Sequence, residues 1–178
     1  MKIALYLGSF NPFHNGHLEV VKTALNDFRM DKVVIVPTMQ NPWKKEKVLD
    51  IDKRSNIIKG AMYYEFLGDE IFIGPYILIS KIEKELIPPY YSYATLHALK
   101  NKYCNDEVFV LCGEDTIKDI PNWMNGEAII QDYNFLVVDR PKNSISSTEI
   151  RNKIKNGEDI DKYVSPDVVN LIKKYYGV

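Results

Sequence analysis

Two histidines three positions apart, His14 and His17, close the run Gly8-Ser9-Phe10-Asn11-Pro12-Phe13-His14-Asn15-Gly16-His17-Leu18, which follows directly on the apolar stretch Ile3 to Leu7. The pattern reads as a strand, a tight loop and a helix start. Gly8 lets the main chain come close to a ligand, Pro12 stiffens the turn, and Gly16 leaves room in the first helical turn. A helix beginning near Asn15 turns both imidazoles one way, at the end where main-chain N–H groups face an anion, so they can hold successive oxygens of a polyphosphate. A protonated or hydrogen-bond-donating imidazole there would stabilise charge growing on phosphate oxygens, which is what nucleotidyl transfer needs, without a covalent nucleophile. The competing reading is a pair of ordinary loop histidines; the strand before and the helix after are the context that the phosphate reading requires.

A second signal is Ile145-Ser146-Ser147-Thr148-Glu149-Ile150-Arg151. Ser146 and Glu149 have the spacing of a capping box, with Ile150 and Ile154 as the buried stripe of the helix they open. Three successive hydroxyls at a helix start with an arginine one turn in also make a cradle for phosphates. Cap and cradle can coexist.

The elements that must position these residues can be read from the rest of the chain. Apolar runs recur at Ile3 to Leu7, Val33 to Val36, Ile71 to Ile73, Val108 to Cys112 and Phe135 to Val138, with helical patterns between several of them. The alternation predicts an α/β fold with a doubly wound open parallel sheet, and the unbroken apolarity of the runs predicts strands covered on both faces. Leu18, Val21, Leu25 and Phe28 form the core stripe of the helix after the first loop. In such a sheet, ligands bind beyond the carboxyl ends of the strands, where Gly8, Pro37, Gly113 and Arg140 all fall.

The chain has 178 residues, 46% of them hydrophobic and 26% charged, which predicts one domain over 1–178 with a helical C-terminal portion at about 147–178. A net charge of −1 from well-mixed residues gives no broad basic surface, so small-molecule work is expected rather than nucleic-acid binding. Cys104 and Cys112 are too few and too far apart for a zinc ribbon or a redox pair, no metal-ligating cluster is visible, and no apolar segment is long enough for a bilayer. A cytoplasmic protein without membrane contact is expected. His97 is read as a helix-face residue, and Asp50 and Asp52 as helix capping ahead of Arg54.

Taken together, Gly8 to Leu18 and Ile145 to Arg151 resemble the nucleotidyltransferases that share catalytic-domain ancestry with class I aminoacyl-tRNA synthetases. Within them the chain is similar to the nicotinate/nicotinamide mononucleotide adenylyltransferases. Pro89-Tyr90-Tyr91-Ser92-Tyr93-Ala94-Thr95-Leu96 resembles that family's Tyr-Thr…Thr-Leu helix start, Cys112-Gly113-Glu114-Asp115-Thr116 through Pro121-Asn122-Trp123 its Gly-x-Asp…Pro-x-Trp stretch, and Val137 to Pro141 its strand ending in Arg-Pro. Tyr163 to Val169 resembles its closing helix.

The resemblance implies a Rossmann-like fold and a direct displacement, in which the phosphate of a pyridine mononucleotide attacks the α-phosphorus of ATP and pyrophosphate leaves, a step of NAD biosynthesis. It implies His14, His17 and Arg151 as the catalytic set, with His17 nearest the α-phosphate. Gly8, Ser9, Phe10, Asp115, Ser146, Ser147 and Thr148 would bind ATP, Asp115 through ribose hydroxyls. Asn11, Lys44, Tyr91, Ser92 and Trp123 would bind the mononucleotide, Trp123 by stacking on the pyridine, against a plain packing role beside Pro121. Mg²⁺ would arrive with ATP, held mainly by phosphates and water. Lys44 and Arg54 could supply cations to the substrates; solvated surface charge is the other reading, preferred for Lys45 and Lys47.

Three departures from the family pattern stand out. Asn41-Pro42-Trp43-Lys44 replaces the usual Pro-Pro-His-Lys, which leaves the role of that loop open between Trp43 stacking in the histidine's place and Trp43 as a lid residue; Asn11 replaces the commoner aspartate, as in eukaryotic members, so the acid-versus-amide choice stays open. Only Lys142-Asn143-Ser144 separates Arg140-Pro141 from Ile145, where the family generally inserts a longer excursion; a missing strand there could alter the contacts of a homo-oligomer. The alternatives are transfer to phosphopantetheine or another small phosphate, and a nucleotide sensor without turnover; His14, His17 and Arg151 count against the sensor, which needs affinity but no transition-state stabilisation.

Overall fold

The computed structural model describes residues 1–40, 47–67, 76–139 and 145–177. Its strands are β1 (Lys2–Gly8), β2 (Lys32–Pro37), β3 (Ile77–Ile79), β4 (Glu107–Gly113) and β5 (Asn134–Val138). They form one sheet in the order β3-β2-β1-β4-β5, with every neighbouring pair parallel. The predicted α/β class with a parallel sheet is what forms. Four of the five predicted runs are strands; Ile71 to Ile73 lies outside the described residues, and the edge beyond β2 is Ile77–Ile79.

Seven helices surround the sheet among the described residues: α1 (Asn15–Asn26), α2 (Ile51–Leu67), α3 (Ser92–Lys102), α4 (Glu114–Asp119), α5 (Gly126–Asp132), α6 (Ser147–Lys155) and α7 (Val169–Tyr176). Successive strand residues alternate between two cores. Ala4, Tyr6, Val33, Ile35 and Leu111 pack with Leu18, Ile57, Ile150 and Ile172 of α1, α2, α6 and α7. Ile3, Leu5, Val34, Val36 and Val110 pack with Leu96, Leu99 and Ile129 of α3 and α5. Both strand faces are therefore dry, which is the physical reason for the unbroken apolar runs. Asp50 accepts from the N–H groups of Asp52 and Lys53 at 2.9 and 3.3 Å and so caps α2; Asp52 instead pairs with Lys81 and Lys84.

The chain moves outward from β1 in both directions, so β1 and β4 flank the point where the winding reverses. Their carboxyl ends leave a crevice there, the usual place for a ligand in such a sheet.

Candidate active site

A cleft of about 310 Å³ opens at that crevice. Its walls come from the end of β1 (Leu7, Gly8) with the following Ser9 and Phe10, from Thr38 and Met39 after β2, from Cys112 and Gly113 of β4, and from Ser92, Thr116, Trp123 and His17. Burial pushes the Cys112 thiol up to about 11, so this cysteine stays protonated and packs as an apolar group.

The loop 9–14 is built around aromatic packing. Phe10 has a φ of +44°, a left-handed conformation that a side chain rarely adopts, and its ring sits 5.1 Å from Tyr6, 5.6 Å from Phe13 and 5.0 Å from His17. A Cβ on Gly8 would lie 2.8 Å from the Phe10 ring, so the missing side chain of Gly8 makes room for Phe10. The same logic holds at Gly16, where a Cβ would come within 3.0 Å of the His14 imidazole.

The two histidines begin α1 as a reciprocal cap. Nδ1 of His14 accepts from Gly16 N–H at 3.1 Å, and Nδ1 of His17 accepts from His14 N–H at 3.3 Å. The rings lie 3.8 Å apart between centroids. A nitrogen that accepts carries no proton, so both rings are set as the tautomer protonated on Nε2, and Nε2–H is the donor each can offer. His17 borders the cleft, and both rings are almost wholly buried.

The start of α6 joins this loop from far along the chain. Ser147 Oγ donates to the Pro12 carbonyl at 2.9 Å, and Arg151 Nη1 donates to the Asn11 carbonyl at 2.6 Å while Nη2 donates to Thr148 Oγ1 at 3.1 Å. The capping box is realised: Ser146 Oγ accepts from Glu149 N–H at 3.2 Å, and Glu149 Oε2 accepts from Ser146 N–H at 2.8 Å. The Ser146 hydroxyl, which also donates to Glu149 Oε2 at 2.7 Å, and the Ser146 N–H hold the Glu149 carboxyl below its ordinary range. The opening loop and the α6 start thus meet through Ser147 and Arg151 at Pro12 and Asn11, and none of Ser146, Ser147, Thr148 and Arg151 lines the cleft.

The other candidates divide. Trp123 and Ser92 line the cleft, Tyr91 is the residue before α3, and Asp115 is exposed in the first turn of α4. Lys44, Trp43 and Arg140 lie outside the described residues. Asn11 does not line the cleft. Its buried side-chain oxygen accepts from Tyr176 O–H at 2.7 Å and from Leu49 N–H at 3.2 Å, so the side chain joins the loop to α7 and to the entry of α2. Arg54 is neither a surface charge nor a cleft cation: it is 1% exposed and donates to the carbonyls of Ser9 and Leu49 at 2.5 and 2.6 Å.

Sequence reasoning missed the polar support below the site. Glu83, 1% exposed, accepts from Thr95 Oγ1 at 2.7 Å and from the Met39 N–H, fixing the segment that leaves β2 at the cleft rim. Burial pushes its carboxyl above the ordinary range, against those hydrogen bonds and the nearby Arg54. Among the described residues no group of three His, Cys, Asp or Glu is placed to hold a metal ion, and no helix is long and apolar enough to cross a membrane.

The cytidylyltransferase-like family profile matches residues 5–153. A probable nicotinate-nucleotide adenylyltransferase of Flavobacterium johnsoniae is 34% identical over 193 residues, spanning 97% of this chain and 96% of that protein. The chain belongs to the nicotinate-nucleotide adenylyltransferase family. Another probable nicotinate-nucleotide adenylyltransferase, from Clostridium tetani, is 30% identical over 98% of this chain and 97% of its own. The family's fold also recurs in the nicotinic acid mononucleotide adenylyltransferase of Plasmodium falciparum, solved with NaAD, at a TM-score of 0.76 and 22% identity, over 98% of this chain and 95% of that one.

Proposed function

We propose that this protein joins ATP and nicotinate mononucleotide to give the dinucleotide and pyrophosphate, a cytoplasmic step of NAD biosynthesis. The observation that carries the reading is the closure of α6 on the opening loop, through Ser147 to Pro12 and Arg151 to Asn11, beside a cleft that holds His17 and Trp123. That arrangement offers donors for a triphosphate next to an aromatic platform for a flat base. The names of the relatives agree with it.

In this reading a phosphate oxygen of the mononucleotide attacks the α-phosphorus of ATP, the bond to the bridging oxygen breaks, and pyrophosphate leaves with the electron pair. The Nε2–H groups of His17 and His14 donate to oxygens on which charge grows. Main-chain groups of Gly8, Ser9 and Phe10 line the phosphate path. Ser147, Thr148 and Arg151 hold the departing end, and Ser146 chiefly caps their helix. Asp115 accepts from ribose hydroxyls, and Trp123 with Ser92 and Tyr91 receives the pyridine. Most of the catalysis is positioning. The ATP enters as its Mg²⁺ complex, with the ion on phosphates and water.

The test is pyrophosphate release from Mg-ATP with nicotinate mononucleotide, nicotinamide mononucleotide or phosphopantetheine as acceptor. Nicotinate mononucleotide is expected to be the best of the three. Release only with phosphopantetheine sinks the substrate assignment, and no release with any acceptor sinks the enzyme.

A further inference from the structure

Trp123 is held on three sides. Its main-chain N–H donates to the Ile120 carbonyl at 2.9 Å, and its own carbonyl accepts from Gly126 N–H at 3.0 Å. A Cβ on Gly126 would lie 2.0 Å from the Ile120 carbonyl oxygen, so only glycine lets this turn close so tightly. The third restraint is on the ring: the indole N–H donates to Asp119 Oδ2 at 2.9 Å. Asp119 is the last residue of α4, and its other oxygen faces the Asn122 amide at 3.4 Å. The indole packs against the core cluster of Ile120 and Ile129 and also borders the cleft.

We infer that Asp119 is a specificity-determining positioning residue, which fixes the plane of the Trp123 indole and makes it a platform selective for a flat, positively charged aromatic ring. The inference rests on the proposed function and says how that site chooses its substrate. Two effects follow from one hydrogen bond. A ring whose N–H is anchored has already lost its rotational freedom before a ligand arrives, which lowers the entropic cost of stacking. A carboxylate that accepts the indole proton forms a charge-assisted bond and leaves more electron density in the ring, and an electron-rich face attracts a cation. The pyridine of nicotinate mononucleotide is a pyridinium and carries that charge. Asp119 does not itself line the cleft, so it acts on binding through Trp123 and not on the chemical step.

Trp43 and Trp123 are the only two tryptophans, so a Trp43→Phe background reports Trp123 fluorescence alone. In that background the quench is titrated with nicotinate mononucleotide and with its carbon isostere, whose benzene ring keeps the carboxylate but lacks the pyridinium charge. Asp119→Ala is expected to weaken pyridinium binding about 5- to 10-fold, from loss of one charge-assisted bond. KM for the mononucleotide should rise by the same factor while kcat stays within about twofold. Asp119→Asn keeps an acceptor oxygen without the charge, so it should restore affinity for the carbon isostere but not the preference for the cationic ring. Unchanged affinities in Asp119→Ala, or an unchanged cation preference in Asp119→Asn, overturn the inference while the proposed function stands. No quench by either ligand in the parent protein removes the pyridine site and this inference together.

Discussion

The main-chain N–H of His14 donates to Nδ1 of His17, three residues on, at 3.3 Å, while His14's own Nδ1 takes the N–H of Gly16. This reciprocal cap decides between the two ways an imidazole could serve a phosphate. Two imidazoliums with centroids 3.8 Å apart would repel, and neither Nδ1 could go on accepting. In the proposed reaction the neutral rings would donate through Nε2–H instead.

Turnover should therefore not need a protonated histidine. We expect kcat to hold steady as pH rises from about 6.5, the ordinary histidine value, to about 8.5, whereas an imidazolium donor would lose activity over that range. Nitrogen-15 NMR of the labelled rings should report protonated Nε2 and bare Nδ1. His17→Ala should lower kcat by about 10²-fold or more with little change in mononucleotide binding. A kcat that falls steadily above pH 6.5 contradicts the neutral-donor reading.

Tyr176 and Asn11, 165 residues apart, share a 2.7 Å hydrogen bond, and burial pushes the Tyr176 hydroxyl well above its ordinary range, so it remains a donor at any physiological pH. Tyr176→Phe removes that donor but leaves Asn11 Oδ1 its bond from Leu49. The expected cost is about 0.5–1.5 kcal/mol of stability, read by urea unfolding, with a rise in KM for ATP as the loop loosens. Asn11→Ala strands both donors and should cost more, about 1–3 kcal/mol. Equal stability of Tyr176→Phe and the parent would deny the tyrosine any hold on the loop.

Glu83 predicts a pH signature. Its carboxyl is raised by burial, so between the ordinary carboxylate pKa and the folded value the native protein binds more protons than the unfolded chain. This group's contribution to stability therefore grows as pH falls through the folded value and shrinks as pH rises. Glu83→Gln cannot ionise, so its stability relative to the parent should be greatest near pH 8 and decline towards pH 5. Carboxyls held low elsewhere, such as Glu149, act with the opposite sign but cancel in the difference. Glu83→Ala leaves the Met39 N–H and Thr95 hydroxyl without their acceptor and should cost about 1–3 kcal/mol at either pH. A parent-to-Gln difference that is flat with pH removes Glu83 as the titrating group.

Local patterns carried much of the fold. Ile3 to Leu7 and Val33 to Val36 were legible because a strand dry on both faces has no polar residue to interrupt it. The helix start near Asn15 and the capping box of Ser146 with Glu149 were legible because such signals are written within four residues, whereas the cap made by His14 and His17 was not read. Ile77–Ile79 was not: it is a three-residue edge strand with only Ile77 buried, too short for a periodic signal. Glu83 sits in Ile82-Glu83-Lys84-Glu85, whose alternating charges look like a solvated turn, and only α3 above it supplies Thr95 as a partner. Asn11 looked like a ligand contact because Tyr176 lies at the other end of the chain. The Asp119–Trp123 bond was within reach, since four positions along a helical turn bring two side chains together.

The closing of α7 on Asn11 also bears on how the protein is made. Translation runs towards the C-terminus, so the loop 9–14 waits for Arg151 and Tyr176 before its last anchors are in place. A nascent chain therefore holds both histidines before the bonds that Arg151 and Tyr176 make to Asn11 can fix their loop.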